Sequence, residues 1–342
     1  MQTIFKLLPF FLLHTGHVLA APVNFNSNPS QVSAESPVAV VTSVVYVNQN
    51  GEVVEGYTPA ATQSASNPSS VAAATPAAAA ATTTAAAAAA PTAAGSLGNA
   101  ITFSPYNGDG TCMSTSDVAS KVQIILGAGY DTIRLYGVDC NQVSNVLAAI
   151  EGTSIKLMVG VFDPSSYQSE LQTLISAMSG NWDKVVLVGL LNEAVNDGKI
   201  TAAEAVTVYN TGKSMLQSAG YTGYVGVVDT FIAILNNPEM CNAMDIVTAN
   251  CHAWFAGVEA STAGSYVNQQ VAALQAKCGK QVWITETGWP SEGGSNSLAV
   301  ASEATQQQAI SSLASVSNKF LFSAFNDLWK TGDLEQHWGI LN

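Results

Sequence analysis

Two glutamates in this sequence each follow a run too apolar to be a solvated surface. Glu193 comes after Val185-Val186-Leu187-Val188-Gly189-Leu190-Leu191 and Asn192, and Glu286 after Val282-Trp283-Ile284-Thr285. A carboxyl group set against apolar chain is costly unless it is paired, hydrogen-bonded or kept neutral. Cleaving a glycosidic bond needs two such groups. One carboxylic acid protonates the leaving oxygen, while one carboxylate attacks or stabilises the oxocarbenium-like carbon. Either glutamate alone would fit a helix cap or an ion pair equally well. The two together, with Asn192 directly before Glu193, favour a catalytic pair.

Arg134 is the only arginine in the chain. Its fork of donors suits holding a carboxylate ionised and oriented, and the competing assignment is a surface ion pair. His252 divides evenly between a sugar contact and a satisfied core residue. Tyr106, Tyr136, Trp254, Trp289 and Trp329 combine a flat apolar face with polar edges, as a platform under a pyranose ring requires. Any one of them is as well explained as core. Asp327 joins the substrate-binding candidates through its place in Asn326-Asp327-Leu328-Trp329-Lys330, just after the last β-prone run. His252 and His337 are isolated, and His14 and His17 fall in the expected signal segment, so neither a metal nor a cofactor is expected.

These residues need elements to position them. Short β-prone runs alternate with longer helical stretches from about residue 99 to the end. The runs are expected at 101–104, 132–136, 156–161, 185–190, 224–228, 246–249, 282–285 and 320–324. Helices are expected between them at 116–127, 142–150, 166–178, 202–218, 265–276 and 303–315. Eight β-then-α units in about 240 residues predict a (β/α)8 TIM barrel. An open doubly wound sheet is the alternative, but the Gly-rich phosphate loop it needs is missing, since Gly108-x-Gly110 lacks a third glycine. In a barrel the chemistry sits at the C-terminal strand ends, where all the candidate residues fall.

The surrounding chain narrows the partners. The 11 Lys+Arg against 24 Asp+Glu give a net charge of −13, which argues against nucleic acid and against an anionic membrane face. Residues 1–20 are expected to be a secretory signal: Lys6 is a weak positive region, 7–13 an apolar run, and Val18-Leu19-Ala20 a small-residue cleavage site. No membrane anchor is expected. Residues 21–98 form an Ala/Ser/Thr/Pro-rich extension without an amphipathic stripe, expected to be largely disordered or a stalk. Within it, 38–57 is β-prone around an Asn50-Gly51 turn. Asn28 and Asn67 are each followed by proline, which disfavours N-glycosylation. Of the five cysteines, Cys112 and Cys140 are expected to pair, and the pairing of Cys241, Cys251 and Cys278 is left open.

The stretches Ile133-Arg134-Leu135-Tyr136, Leu191-Asn192-Glu193-Ala194, Thr285-Glu286-Thr287-Gly288-Trp289-Pro290-Ser291 and Glu335-Gln336-His337-Trp338-Gly339 resemble a fungal family 17 glycoside hydrolase over residues 99–342. The resemblance implies action on β-1,3-glucan with retention of configuration and without a cofactor. It implies that Glu193 is the proton donor, Glu286 the nucleophile, and Asn192 a contact to the sugar 2-hydroxyl. Two departures bear on subsite detail: Leu191 stands where the family often has glycine, and Asn326-Asp327 where it often has an acidic pair. The expected protein is therefore a monomeric, exported cell-wall β-1,3-glucanase or glucanosyltransferase. A glucan-binding structural protein or adhesin built on an inactive barrel is the alternative.

Overall fold

A computed structural model describes residues 97–342. The expected signal at 1–20, most of the extension at 21–98 and the hairpin around Asn50-Gly51 lie outside the described residues. Eight parallel strands close into a barrel: β1 (Ala100–Thr102), β2 (Thr132–Arg134), β3 (Lys156–Val161), β4 (Val185–Leu190), β5 (Tyr224–Thr230), β6 (Val247–Asn250), β7 (Val282–Gly288) and β8 (Lys319–Phe322). The order is β1-β8-β7-β6-β5-β4-β3-β2, with β8 closing back onto β1. Strands covered on both faces read as continuous apolar runs rather than as alternation, which is why the chain announces them so clearly.

The floor of the barrel is packed by Leu97, Ala100, Met158, Leu187, Val228, Ile246, Trp283 and Phe320. Gly189 leaves room for this packing, because a Cβ there would fall 2.8 Å from the Met158 methyl. The main helices of the outer ring are α1 (Thr115–Gly127), α2 (Gln142–Ala149), α3 (Tyr167–Met178), α4 (Ala202–Ser218), α7 (Ala263–Cys278) and α8 (Glu303–Leu313). Their ends follow sequence signals. Thr201 and Glu204 form a capping box at α4, and Gly279 (φ 64°) closes α7 in the left-handed conformation.

The structure adds two short helices after β5, α5 (Phe231–Asn236) and α6 (Pro238–Ala243). Six residues are too few to display a 3.6-residue period. It also extends β7 by three residues beyond the expected end, so Glu286 lies within the strand and pairs with Asn250 of β6.

Cys112 pairs with Cys140 as expected, Cys241 pairs with Cys278, and Cys251 is free and buried. The second bridge spans 37 residues and ties α6 to the end of α7. Chain entropy for a loop of that size corresponds to about 3–4 kcal/mol. Replacing both Cys241 and Cys278 by alanine is therefore expected to lower Tm by roughly 10 °C in a thermal melt, and an unchanged Tm would count against the bridge.

Candidate active site

The C-terminal strand ends bring most of the candidate residues into one cluster. Arg134 ends β2 and is 2% exposed. Its Nη1 donates to Glu286 Oε1 at 2.8 Å and to the Thr285 carbonyl at 2.9 Å, and its Nη2 donates to Asn192 Oδ1 at 2.8 Å. The guanidinium also lies 4.3 Å from the centroid of the Tyr136 ring, a favourable stacking arrangement for a cation. The single arginine is thus spent on one buried carboxylate and the amide beside the other glutamate.

The other glutamate is reached through Asn250, at the end of β6. Asn250 Nδ2 donates to Glu193 Oε1 at 2.8 Å and to Asn192 Oδ1 at 3.2 Å, while Thr285 Oγ1 and Arg134 Nη1 both donate to Asn250 Oδ1. Two hydrogen-bonding side chains, Asn250 and Arg134, therefore connect Glu193 to Glu286. Sequence reading gave Asn250 no role, although it stands two residues before His252 at a strand end.

His252 reaches the far side of Glu286, with Nε2 3.3 Å from Oε2. With that carboxylate ionised, the contact requires the proton on Nε2. Phe322 and Trp338 pack against the imidazole at 5.3 and 4.9 Å. Beyond β8, Lys330 pairs with Asp327 at 3.1 Å and lies over the Phe322 ring. Its charge reaches Glu286. Lys330 was also missed in the sequence, where a lone lysine beside a tryptophan looks like surface.

This arrangement biases the two carboxyls in opposite directions. Burial, reinforced by the negative charge of Glu286, pushes Glu193 up to about 8, against the opposing hydrogen bond from Asn250. Burial pushes Glu286 up as well, but Arg134, the His252 hydrogen bond and Lys330 outweigh it and bring Glu286 down to about 2. At neutral pH the site holds one carboxylic acid and one carboxylate, the division of labour that a general acid and a nucleophile need.

Not every aromatic candidate lines the cluster. Trp289 is fully buried, and its indole N–H donates to the Val300 carbonyl at 2.9 Å under the small hairpin Ser295–Asn296/Ala299–Val300. Its ring faces are covered by protein, so it offers no platform to a sugar. Trp254, separated from the cluster residue His252 by Ala253 along the chain, is 6% exposed and packs edge-on against Phe255. Tyr106 and Trp329 pair at 5.0 Å near the mouth, and Tyr106 donates to Asp139. Both are only partly buried.

Residues 100–339 match the model of the BtgE/BtgC glycoside hydrolase domain. The chain belongs to this family. The chain is 46% identical over 260 residues to a Saccharomyces cerevisiae protein named "Probable family 17 glucosidase", covering 73% of this chain and 66% of that one. It is also 46% identical over 250 residues to a "Cell surface mannoprotein" of Candida albicans, covering 70% and 65%. The matches thus span just under two thirds of these relatives. In fold, the BtgE/BtgC domain is similar to a Rhizomucor miehei β-1,3-glucanosyltransferase solved with laminaritriose (TM-score 0.60, 19% identity, 70% of this chain and 91% of that one). It is likewise similar to an endo-laminarinase from Formosa (TM-score 0.61, 16% identity, 70% and 82%). Among the described residues, no helix of the BtgE/BtgC domain is long and apolar enough to cross a membrane.

Proposed function

We propose that this domain is a retaining β-glycosidase acting on β-1,3-glucan, with Glu193 as acid/base and Glu286 as nucleophile. The observation that carries the reading is the opposite bias of two carboxyls linked through one hydrogen-bonded cluster. In the first step a Glu286 oxygen bonds to the anomeric carbon. The glycosidic C–O bond breaks, and the leaving oxygen takes the Glu193 proton. In the second step Glu193 removes a proton from water or a sugar hydroxyl, whose oxygen attacks the anomeric carbon and releases Glu286. Both bonds to Asn192 use its carbonyl oxygen, so its Nδ2 side remains a donor for the sugar 2-hydroxyl.

The substrate assignment is supported by the glucosidase name of the yeast relative and by the laminaritriose held by the Rhizomucor miehei neighbour. The cell-surface name of the Candida albicans relative supports action at the cell wall. The reading includes export through residues 1–20, a non-catalytic extension at 21–98 and a monomeric hydrolase domain at 99–342.

Incubation with reduced β-1,3-glucan oligomers tests it. Shorter products identify a hydrolase and longer ones a transferase, whereas no products at all would leave a glucan-binding role and overturn the proposal. The pH dependence follows with its sign. Glu193 works protonated, so kcat/KM is expected to fall as pH rises through about 8. Glu286 works ionised, so kcat/KM is expected to fall as pH drops toward about 2. A kcat/KM whose basic limb is unchanged in Glu193→Ala would contradict the role given to Glu193.

A further inference from the structure

Glu193 stands on a turn that L residues seldom adopt: Leu191 has φ 65° and Glu193 φ 54°. Such a turn persists only when its surroundings hold it. Much of the hold comes from three consecutive residues of β5. The Val228 carbonyl accepts from the Glu193 amide at 3.0 Å. Asp229 Oδ2 accepts from the Val195 amide at 2.9 Å, and its Oδ1 accepts from the amides of Asn196 at 3.2 Å and Thr230 at 2.8 Å. Thr230 Oγ1 donates to Asn196 Oδ1 at 3.1 Å and accepts from Ala233 N at the start of α5.

Asp229 is the unusual member of this set. Its residue exposure is 0%, and its carboxylate accepts from three backbone amides rather than pairing with a cation. A carboxylate in that position is kept by those donors, and two of the three belong to the loop that bears Glu193. An asparagine would present an amide N–H to at least one of the same donors and lose that bond.

We propose that Asp229 is a positioning residue for the acid/base: its buried carboxylate fixes the left-handed Glu193 turn and sets a negative charge near the Glu193 carboxyl. The inference rests on the reading of Glu193 as acid/base. Glu193 is surrounded by Glu286 from β7, Asp229 from β5, Asp197 from its own loop, the Asn250 amide from β6 and, beyond Asn192, Arg134 from β2. Burial lifts Asp229 itself to about 6 against its three backbone donors, with Asp197 adding to the rise, so its charge is in place at the alkaline pH where the Glu193 limb falls. Removing the Asp229 charge takes away one of the three negative neighbours that help to keep Glu193 protonated.

The test compares Asp229→Asn with wild type on two aryl β-laminaribiosides, one with a poor leaving group and one, 2,4-dinitrophenyl, that departs without protonation. The expected result is a loss of about 10–100-fold in kcat/KM, which reports the glycosylation step, with the poor leaving group. Loss with 2,4-dinitrophenyl should be several-fold at most. The basic limb of kcat/KM should move to lower pH. A merely structural defect would slow both substrates equally and leave the limb in place, and that result would overturn the inference. If Asp229→Asn fails to fold, Asp229→Glu keeps the charge but moves the carboxylate. It should show the same leaving-group dependence with the basic limb unmoved, and wild-type rates on both substrates would overturn the inference. Glu193→Ala run in parallel separates the two failures. If Glu193→Ala lacks the leaving-group dependence, the acid/base reading falls. If it shows the dependence and the Asp229 variants do not, only the role of Asp229 falls.

Discussion

Glu286→Ala is expected to lose roughly 10⁴–10⁶-fold of its turnover on laminarin, the range seen when the nucleophile or its orienting partner is removed from a two-step covalent mechanism. The fold should survive with reduced stability: alanine leaves the buried Arg134 guanidinium without its carboxylate, but Arg134 keeps its bonds to the Thr285 carbonyl, Asn192 and Asn250, and the strand keeps its pairing with β6 and β8. A small anion makes the assignment specific. With a β-glucosyl donor carrying an activated leaving group, azide can enter the space vacated by the Glu286 carboxylate and attack the anomeric carbon from that face, giving an α-glycosyl azide. In Glu193→Ala the nucleophile is intact. The donor first forms the glycosyl ester on Glu286, and azide then attacks from the side of the missing acid/base, giving a β-glycosyl azide. The anomeric configuration of the two azides, read by NMR, therefore separates the two roles. Laminarin hydrolysis by Glu286→Ala at a wild-type rate, or the same azide anomer from both variants, would sink the assignment.

Much of the architecture that sets up this experiment was legible in the chain. Strands buried on both faces leave long apolar runs, so β3 and β4 were placed to the residue. The helix expected at 202–218 matches α4 equally well, and the structure shows Thr201 and Glu204 capping its start. The six-residue helices α5 and α6 left no period to detect. The end of β7 was placed too early because Glu286 and Thr287 look like loop residues. Both are held in the strand by pairing with Asn250 and Leu321, partners 36 and 34 positions away.

The site divides along the same line. Arg134, Glu193 and Glu286 stand out because a charged residue beside an apolar run demands an explanation from sequence alone. Asn250, Thr285 and Asp229 do not, since an amide, a hydroxyl and a carboxylate at strand ends have many uses. Only the closed barrel shows that Asn250 bridges Glu193 to Arg134. Trp289 illustrates the converse. Its place after Glu286 suggested a sugar platform, but the small hairpin folded over it turns both ring faces into core.

Arg134→Met is expected to be the most disruptive single change outside the two carboxyls. Methionine fills a similar apolar volume but leaves Glu286 buried without its closest cation, and an unpaired buried charge costs about 3–5 kcal/mol. The consequences have a definite sign. In the wild type Glu286 is held near 2, below the value of about 4.3 for an unfolded chain. Its pairing therefore adds stability above that unfolded value, and the contribution is lost as pH falls toward about 2. Burial is the largest influence on Glu286 and acts upward, so without Arg134 the folded value moves upward. Should it pass the unfolded value, the contribution reverses, and the variant loses stability as pH rises past the unfolded value. The difference in Tm between wild type and Arg134→Met is thus expected to widen from pH 3 to pH 7, and the acid limb of kcat/KM is expected to move to higher pH. Arg134→Lys isolates geometry from charge. One ammonium can stay near Glu286 but cannot also reproduce the second arm of the fork to Asn192. Its acid limb should stay low while kcat drops on the order of 10²-fold, the scale for losing one preorganised donor. A Tm difference between wild type and Arg134→Met that does not change with pH would show that Arg134 is not what keeps Glu286 ionised.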